Sequence, residues 1–346
     1  MSRFVRPSPC SSTGELTDAQ TSQWREEGFT FVRGLFPHSL VDAMAEAGKQ
    51  AFPGPHDEAA KKFTDFGSNV VFPSAIAAFN EITLHPHLLQ AVATLLQVPV
   101  TDLRLTQADL WPKYFREHTA PDTAGSEQDN TDQRIHVDYP NHTITHPTPW
   151  SRPEAVEMIL YLSDAQETGG GTAVVARQGP DDPAYPWPIV DSPGIGELQY
   201  VNDRTAAENY FATEKPDRAA FRQMLYKREA CTVFEPGDLL LYRHDTWHRG
   251  TPMKPGALRL VMNITYRKAA SEWISTLHTG WAWSLYEQDK RLPRLLSEAS
   301  LDQRAVLGFP QPGSSYWCPE TILAIKARYG PFGFDTSPYE PALAEP

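Results

Sequence analysis

A histidine, an aspartate and a second, distant histidine have the residue types and spacing of a metal site. His136 and Asp138 are separated by one residue, and His248 follows far along the chain. In an extended strand successive side chains point to opposite faces, so His136 and Asp138 would share one face. Two imidazoles and one carboxylate on a triangular face leave three metal positions open, as in non-haem Fe(II) oxygenases. The three residues therefore predict such a metal site.

The residues near His248 predict the turns and strands that would position it. Pro236-Gly237-Asp238 is typical of a turn, and the apolar run from Leu239 to Tyr242 predicts a strand that leads towards His248. His244 lies four residues before His248 and is an alternative ligand. Arg259 lies within another apolar strand, where a buried guanidinium would need an anionic partner.

Composition limits the class of protein. The chain has 346 residues, of which 40% are hydrophobic, with 31 prolines, 21 glycines and a formal net charge of −12. The abundant proline favours short elements and long connections over a helical bundle. The acidic balance argues against a nucleic-acid partner, which calls for clustered Lys and Arg. The same balance argues against an anionic membrane surface, and the oligomeric state is left open.

The cysteine count and the apolar runs indicate the compartment. Cys10, Cys231 and Cys318 are too few and too scattered for a disulfide framework or a cysteine zinc site. Residues 1–10 contain no apolar core of a secretory signal, and no stretch approaches the roughly 20 apolar residues needed to span a bilayer. We therefore expect a cytoplasmic protein that does not cross a membrane.

The hydrophobic pattern predicts a mainly β fold with flanking helices. Residues 1–15 are expected to form a flexible tail, and residues 16–346 a single domain. The first helix is predicted to open at Thr17-Asp18 and to stop at Gly28. Strands become frequent from Asp102 and are predicted over 103–115, 156–162 and 258–267, among others. The predicted subdivision is a barrel core over about 102–268, an insertion over 178–228 that could act as a lid, and a C-terminal helical extension over 271–335. The polar stretch 117–133 is predicted to be an exposed loop, and helices are predicted over 205–225, 274–286, 292–307 and 321–329.

Three consecutive glycines, Gly169-Gly170-Gly171, superficially suggest a phosphate-binding loop. No helical pattern follows them, and their spacing matches neither glycine-rich nucleotide motif. A turn between two strands is the better interpretation.

The sequence resembles the phytanoyl-CoA dioxygenase family of Fe(II)- and 2-oxoglutarate-dependent oxygenases, which includes ectoine hydroxylases. The resemblance runs from Leu16 to about Lys268, and its specific part is the set His136, Asp138, His248 and Arg259, with Arg259 eleven residues after His248. That spacing selects His248 over His244 as the ligand. The resemblance implies a double-stranded β-helix, a jelly-roll or cupin-like barrel of two antiparallel sheets.

The resemblance also implies the reaction and the cofactors. Fe(II), 2-oxoglutarate as co-substrate and O2 would be used, with succinate and CO2 as products and a small-molecule substrate that is hydroxylated. Arg259 would bind the far carboxylate of 2-oxoglutarate with two parallel donors. Thr251 would add a hydroxyl to the same carboxylate, and Gln107 would donate to the other end of the oxo acid. The intact carboxylate of Asp138 favours hydroxylation or desaturation, since related halogenases have a small residue there.

The remaining aromatic and histidine residues support several interpretations. Tyr139, Trp150 and Trp247 are candidate walls of the substrate pocket, although aromatic residues near a barrel are as often core. His142 and His146 are assigned to a loop in preference to the pocket mouth. His85 and His87, beside a proline within a helical region, are assigned structural roles.

The sequence departs from the family in one place and leaves alternatives open. Where relatives carry a Pro-Gly-Ser-His type of turn, residues 176–180 read Ala-Arg-Gln-Gly-Pro, and nothing resembles a site for coenzyme A. The substrate is therefore not fixed by the family name. A non-catalytic metal- or ligand-binding barrel is the alternative function. A cupin enzyme without a co-substrate would need His-x-His and a glutamate, and the single such pair, His85 and His87, lies in a predicted helix.

Overall fold

The computed structural model describes residues 3–63, 70–116, 131–274 and 289–340. Its strands are β1 (Arg3–Val5), β2 (Ser8–Pro9), β3 (Phe29–Arg33), β4 (Leu103–Tyr114), β5 (Ala155–Tyr161), β6 (Thr172–Val174), β7 (Ala230–Thr232), β8 (Leu239–Tyr242), β9 (His248–Gly250) and β10 (Leu258–Lys268). Its α-helices are α1 (Asp18–Glu27), α2 (His38–Ala51), α3 (Ala77–Thr83), α4 (Pro86–Leu96), α5 (Tyr139–His142), α6 (Ala165–Thr168), α7 (Arg204–Glu214), α8 (Pro216–Arg228), α9 (Arg291–Glu298), α10 (Leu301–Val306) and α11 (Pro319–Tyr329).

The strands form two sheets that face each other. The large sheet has the order β2-β3-β8-β5-β10-β4, and the small sheet has the order β1-β7-β6-β9. Aromatic and aliphatic side chains of both sheets pack together between them, and the Tyr161 hydroxyl bonds to Thr172 of the small sheet at 2.8 Å. The predicted mainly β fold with a double-stranded β-helix core and flanking helices is confirmed.

Alternation along the strands separates an apolar outer face of the large sheet from a more polar inner face. On β10, Leu260, Met262 and Ile264 are buried in the cluster that includes helices α1 to α4. Their neighbours Arg259 and Asn263 point the opposite way, towards the small sheet. Burial of the outer face against helices thus fixes the register, and the register decides which polar side chains reach the interior.

Helix α1 begins and ends as the sequence predicts. Thr17 and Gln20 form a capping box, in which each side chain bonds to the backbone N–H of the other residue. Gly28 ends the helix with φ 95°, a left-handed conformation that glycine adopts without a steric penalty. Its carbonyl accepts bonds from the backbone N–H of Arg243 and from the Thr246 hydroxyl. The end of α1 therefore fixes the segment that leads to His248.

The prediction of a flexible tail over residues 1–15 is wrong for its described part. Strand β1 pairs in parallel with β7, and β2 pairs in parallel with β3, so the tail extends an edge of each sheet. A polar, proline-containing stretch can still join a sheet, because edge pairing needs backbone groups more than apolar side chains.

Most predicted helices are present with shifted ends, and some predictions lie outside the described residues. The helical region after Thr205 is a pair of helices, α7 and α8, and the one predicted over 292–307 is divided into α9 and α10. Residues 117–130 of the predicted loop, the predicted helix over 274–286 beyond Ile274, and residues 341–346 are not described. The division into one domain with a barrel core, an insertion and an extension stays a prediction. Among the described residues no helix combines the length and apolarity needed to cross a bilayer.

Candidate metal centre

The structure brings His136, Asp138 and His248 together. Their potential ligand atoms all lie within 4.8 Å of one another. The Nε2 atom of His136 is 3.3 Å from Oδ1 of Asp138, and Nε2 of His248 is 3.0 Å from Oδ2. Two imidazole nitrogens and one carboxylate facing a common point are a donor set that fits a divalent transition metal.

The backbone that delivers the first two ligands is not the predicted strand. His136 makes an isolated antiparallel bridge with His248, and Asp138 already has helical angles, φ −94° and ψ −14°, as the residue before α5. The N–H groups of Asp138 and Tyr139 both donate to the carbonyl of His244. The chain therefore bends after His136, and Asp138 approaches the metal position from a turn. Alternation along a strand predicted that His136 and Asp138 lie close together, but a turn and not a strand brings Asp138 there.

Backbone carbonyls set the orientation of both histidine rings. Nδ1 of His136 lies 3.0 Å from the carbonyl of Arg134, and Nδ1 of His248 lies 2.9 Å from the carbonyl of Thr246. A carbonyl can only accept, so each Nδ1 carries a proton and each Nε2 is the ring nitrogen that faces the metal position. Carbonyl contacts of this kind commonly fix metal-binding histidines.

The pKa shifts indicate that His136 is neutral and that Asp138 and His248 form an ion pair. Burial, with the positive charges of Arg134 and His248, lowers the pKa of His136 to about 3. Burial opposes ionisation of Asp138, but the charge of His248 and hydrogen bonds from both histidines hold its pKa well below the usual range. Burial likewise opposes the charge on His248, yet Asp138 raises its pKa. A metal ion bound here would take the place of the proton on His248.

Three further polar residues, Tyr242, Glu157 and His142, lie beside Asp138. The Tyr242 hydroxyl donates to Oδ2 of Asp138 at 2.9 Å, and burial with the nearby carboxylates raises the Tyr242 pKa well above its usual value. Glu157 is buried, which raises its pKa to about 7 although His142, 3.5 Å away, opposes the shift. Tyr242 therefore remains a proton donor to the ligand carboxylate.

Strand register explains why these residues meet. Gln107, Thr265, Glu157 and Tyr242 stand directly opposite one another on β4, β10, β5 and β8, so they share the inner face of the large sheet. Gln107 donates to Oδ2 of Asp109 at 2.7 Å. The structure thus places Gln107 on the same side as the metal cluster, with its amide already bonded to a neighbour.

Arg259 lies on the inner face and is held without an acidic partner. Its guanidinium donates to the carbonyl of Gly170, and its Nε is buried with no hydrogen-bond partner. Burial lowers its pKa, and the groups that oppose the shift are Tyr161 and Cys231 rather than carboxylates. Within the described ranges no carboxylate forms an ion pair with it. A charged guanidinium left in this state is suited to an incoming anion.

Two further groups border Arg259. Lys113 is opposite it in the β4–β10 register, and its Nζ donates to the carbonyl of Thr251 at 3.2 Å. The Thr251 hydroxyl donates to the carbonyl of Gly171 at 2.8 Å. The predicted role of Thr251 as a donor to the anion would therefore require its hydroxyl to rotate. The inner face thus carries positive charge near Arg259 and carboxylates near Glu157.

The remaining histidines lie outside the three-residue cluster. The ring of His244 is buried and its Nδ1 has no hydrogen-bond partner. His142 is the partner of Glu157, and His146 is fully buried between the carbonyl of Pro147 and the N–H of Ile189. His85 caps α4 by accepting from the N–H of His87.

The three aromatic residues predicted to line the pocket take part in packing. Tyr139 is fully buried and donates to the carbonyl of Ile189, and Trp247 is fully buried and donates to that of Ala184. Trp150 donates to the carbonyl of Arg25 and has the Arg243 guanidinium 3.8 Å above its ring. All three side chains thus donate to backbone carbonyls, and substrate contact by them stays a prediction.

Sequence reasoning missed Tyr242, Glu157, Asp109 and Lys113. Each lies at an alternate position of a strand that was correctly predicted. The alternation of apolar residues on β10 and β5 could have indicated that Glu157 faces inward, but the identity of its neighbours depends on the strand order. Only the pairing of β8 with β5 brings Tyr242 and Glu157 together.

Comparison with protein-family descriptions finds no match, and comparison with curated proteins finds none either. Solved structures do match. SnoK, a non-heme alpha ketoglutarate dependent carbocyclase from nogalamycin biosynthesis, is 13% identical with a TM-score of 0.52, over 78% of this chain and 91% of that chain. EctD from S. alaskensis is 13% identical, with a TM-score of 0.47 over 78% of this chain and 83% of that chain. HygX from Streptomyces hygroscopicus, with nickel and 2-oxoglutarate bound, is 15% identical, with a TM-score of 0.44 over 73% of this chain and 87% of that chain. At these identities the match to SnoK is evidence for the fold alone.

Proposed function

We propose that the chain is an Fe(II)- and 2-oxoglutarate-dependent dioxygenase that hydroxylates a small molecule and releases succinate and CO2. The observation that carries the proposal is the pairing of a His-Asp-His cluster with a partly buried arginine, Arg259, that has no carboxylate partner among the described residues. Either feature alone occurs in proteins of many kinds. Together, on the two facing sheets of one barrel, they supply a metal site and an anion site for one chelating oxo acid.

The metal would be held by Nε2 of His136, Nε2 of His248 and the carboxylate of Asp138. This donor set mixes imidazole and carboxylate, which suits Fe(II) and leaves positions for a bidentate ligand and for dioxygen. When bound, iron with 2-oxoglutarate and O2 would supply the oxidation of substrate coupled to decarboxylation of the oxo acid. Tyr242 would keep the ligand carboxylate oriented through its hydrogen bond.

Arg259 would bind the far carboxylate of 2-oxoglutarate. Its guanidinium is partly withdrawn from water, and among the described residues it bonds to the carbonyl of Gly170 and to no carboxylate. A dicarboxylate would supply the missing negative charge. Lys113 on the adjacent strand would add to the positive charge that attracts this carboxylate. Gln107 and Thr251 are proposed as secondary contacts to the oxo acid.

Hydroxylation is favoured by the intact Asp138 carboxylate, which occupies the metal position that related halogenases leave to halide. The fold does not select the outcome by itself, since SnoK of the same fold is named a carbocyclase. The alternative function is a barrel that binds metal or ligand without turnover. Retention of all three ligands and of Arg259 favours the enzyme.

Succinate formation tests the proposal. Protein loaded with Fe(II) under anaerobic conditions is given 2-oxoglutarate and exposed to air, beside His136→Ala and the matched control His85→Ala. Slow turnover without the true substrate is expected in the wild type and in the control, and none in His136→Ala.

If the wild type forms no succinate and does not bind 2-oxoglutarate, the proposal is wrong and the non-catalytic barrel is favoured. If succinate forms equally in His136→Ala, the assigned metal site is wrong. Binding of 2-oxoglutarate that needs both Arg259 and the metal, followed by turnover when a substrate library is added, would support the proposal.

A further inference from the structure

We infer that helix α8, in the insertion between β6 and β7, positions the metal ligand His136, with Arg222 and Tyr226 as the positioning residues. The inference rests on the metal site of the proposed function and assigns the insertion a role different from the lid that the sequence suggested.

The segment before His136 uses its two backbone edges differently. On one edge the N–H and C=O of His136 pair with His248 of β9, and the N–H of Gln133 donates to Gly250. The opposite edge would meet another strand if the small sheet continued. No described strand lies there. Side chains and backbone groups of the insertion bond to that edge instead.

Helix α8 bonds to both backbone groups of Ile135. The N–H of Ile135 donates to the Tyr226 hydroxyl at 3.0 Å, and its carbonyl accepts from Nη2 of Arg222 at 3.0 Å. Upstream, the N–H of Arg134 donates to the carbonyl of Asn202 at 2.8 Å. The insertion therefore supplies the hydrogen bonds that a neighbouring strand would otherwise supply.

These two bonds control the peptide planes that face the metal ligands. The peptide group between Arg134 and Ile135 offers its N–H to Tyr226 and its carbonyl to Nδ1 of His136. The next peptide group offers its carbonyl to Arg222 and its N–H to the carbonyl of His248. A peptide group is planar, so fixing one side of the plane fixes the other. The direction of the His136 ring therefore depends on α8.

The positioning side chains are themselves held rigidly. Arg222 is fully buried, and its Nε and Nη2 bond to the carboxylate of Glu208 on α7, the closest contact being 2.7 Å. Its Nη1 donates to the carbonyl of Asp191 at 3.1 Å, and the Tyr226 hydroxyl donates to Glu208 at 2.9 Å. The phenol thus has one donor bond and one acceptor bond. A planar guanidinium with all of these bonds has little freedom to move.

The test measures metal binding and not turnover. Co(II) binding and the Co(II) absorption spectrum are compared for the wild type, Tyr226→Phe, Arg222→Lys and the matched control Arg228→Lys. Arg228 is on the same helix and bonds a carboxylate, Asp182, and a backbone carbonyl, Ala176, but it does not contact the segment before His136. Loss of contacts that orient a ligand commonly costs about 10- to 100-fold in metal affinity.

We expect Arg222→Lys to weaken Co(II) binding at least about 10-fold, and Tyr226→Phe to weaken it less. In both variants the absorption bands should shift, which a general loss of stability would not cause. Arg228→Lys should lower the melting temperature and leave affinity and spectrum unchanged. Tyr226→Phe keeps the ion pair and the packing, so it decides the question if Arg222→Lys does not fold.

Wild-type affinity and an unchanged spectrum in Tyr226→Phe, and in Arg222→Lys where it folds, would overturn the inference. The same would follow if Arg228→Lys weakened binding as much. A wild type that binds Co(II) through the cluster but neither binds 2-oxoglutarate nor forms succinate would remove the proposed function and leave this inference standing.

Discussion

At the scale of single residues, the Tyr242 hydroxyl is the contact that most directly tests the metal centre. It donates to Oδ2 of Asp138 at 2.9 Å. Tyr242→Phe should keep the fold, since the ring stays packed between the sheets, and should weaken metal binding about 10-fold. Titration with a divalent metal measures the change. Tyr161→Phe, which removes a hydroxyl bonded to Thr172 instead, is the control and should bind metal as the wild type does.

Arg259 gives a second prediction at this scale. Arg259→Met should raise the KM for 2-oxoglutarate about 100-fold, equivalent to about 2.8 kcal/mol, because the substrate carboxylate would lose its buried cation. Metal affinity should stay unchanged. Arg228→Met removes an arginine that is paired with Asp182 and should leave the KM unaltered. An equal KM in Arg259→Met and the wild type would show that the co-substrate binds elsewhere.

At the scale of elements, two different structures hold the two halves of the metal site. The end of α1 at Gly28 fixes the segment that leads to His248, and α8 fixes the segment that leads to His136. Neither support is predicted by the pattern of metal-ligand residues. The end of a helix and an insertion therefore fix backbone segments that, in a continuous strand, the hydrogen bonds of the sheet would fix.

Gly28→Ala tests the first of these supports. A Cβ at Gly28 would lie 2.7 Å from Oγ1 of Thr246, in addition to the strain of φ 95°. The control Gly34→Ala has a similar φ of 82° but nothing within 4 Å of the added carbon. Both should lose about 1–2 kcal/mol of unfolding free energy from backbone strain. Gly28→Ala should lose more, and it alone should weaken metal binding.

Urea unfolding and metal titration of the two variants measure this difference. Equal destabilisation with unchanged metal affinity would show that the contact between Gly28 and Thr246 has no influence on His248.

At the scale of the whole molecule, buried carboxyl groups make stability depend on pH. Burial raises the pKa of Glu154 from its ordinary value of 4.5 to about 7. The resulting change of the unfolding free energy with pH has the opposite sign to that caused by a salt-bridged carboxylate, whose pKa is lowered. Below pH 4.5 both the folded and the unfolded state hold the proton, and above pH 7 the folded protein bears the cost of a buried charge. The free energy of unfolding should therefore fall as pH rises between these two values, by about 1.4 kcal/mol for each pH unit.

Glu154→Gln should flatten this slope. Denaturant unfolding at pH 5 and pH 8 measures it, with Glu26→Gln on the exposed surface as the control. Glu157 contributes in the same direction, so part of the slope should remain. A variant with the full wild-type slope would show that Glu154 is not protonated in the folded protein at pH 5.

Local signals in the sequence predicted most individual elements. Thr17 and Gly28 bound α1 as predicted, and the apolar runs at β5, β8 and β10 are strands. These features depend on contacts between residues near in sequence, on the shape of glycine and on the alternation of buried side chains. The same reasoning failed for residues 3–9, which join the sheets through backbone pairing that side-chain composition does not reveal.

The sequence by itself singled out His136, Asp138 and His248 as candidate metal ligands and Arg259 as a candidate anion-binding residue, because metal and anion chemistry restricts which side chains can serve. Only the tertiary structure decided how they are held. Asp138 reaches the cluster from a turn, Tyr242 and Glu157 meet it through strand order, and α8 controls the peptide planes before His136. Each of these depends on hydrogen bonds between segments far apart in the chain, and local sequence patterns carry no information about such pairings.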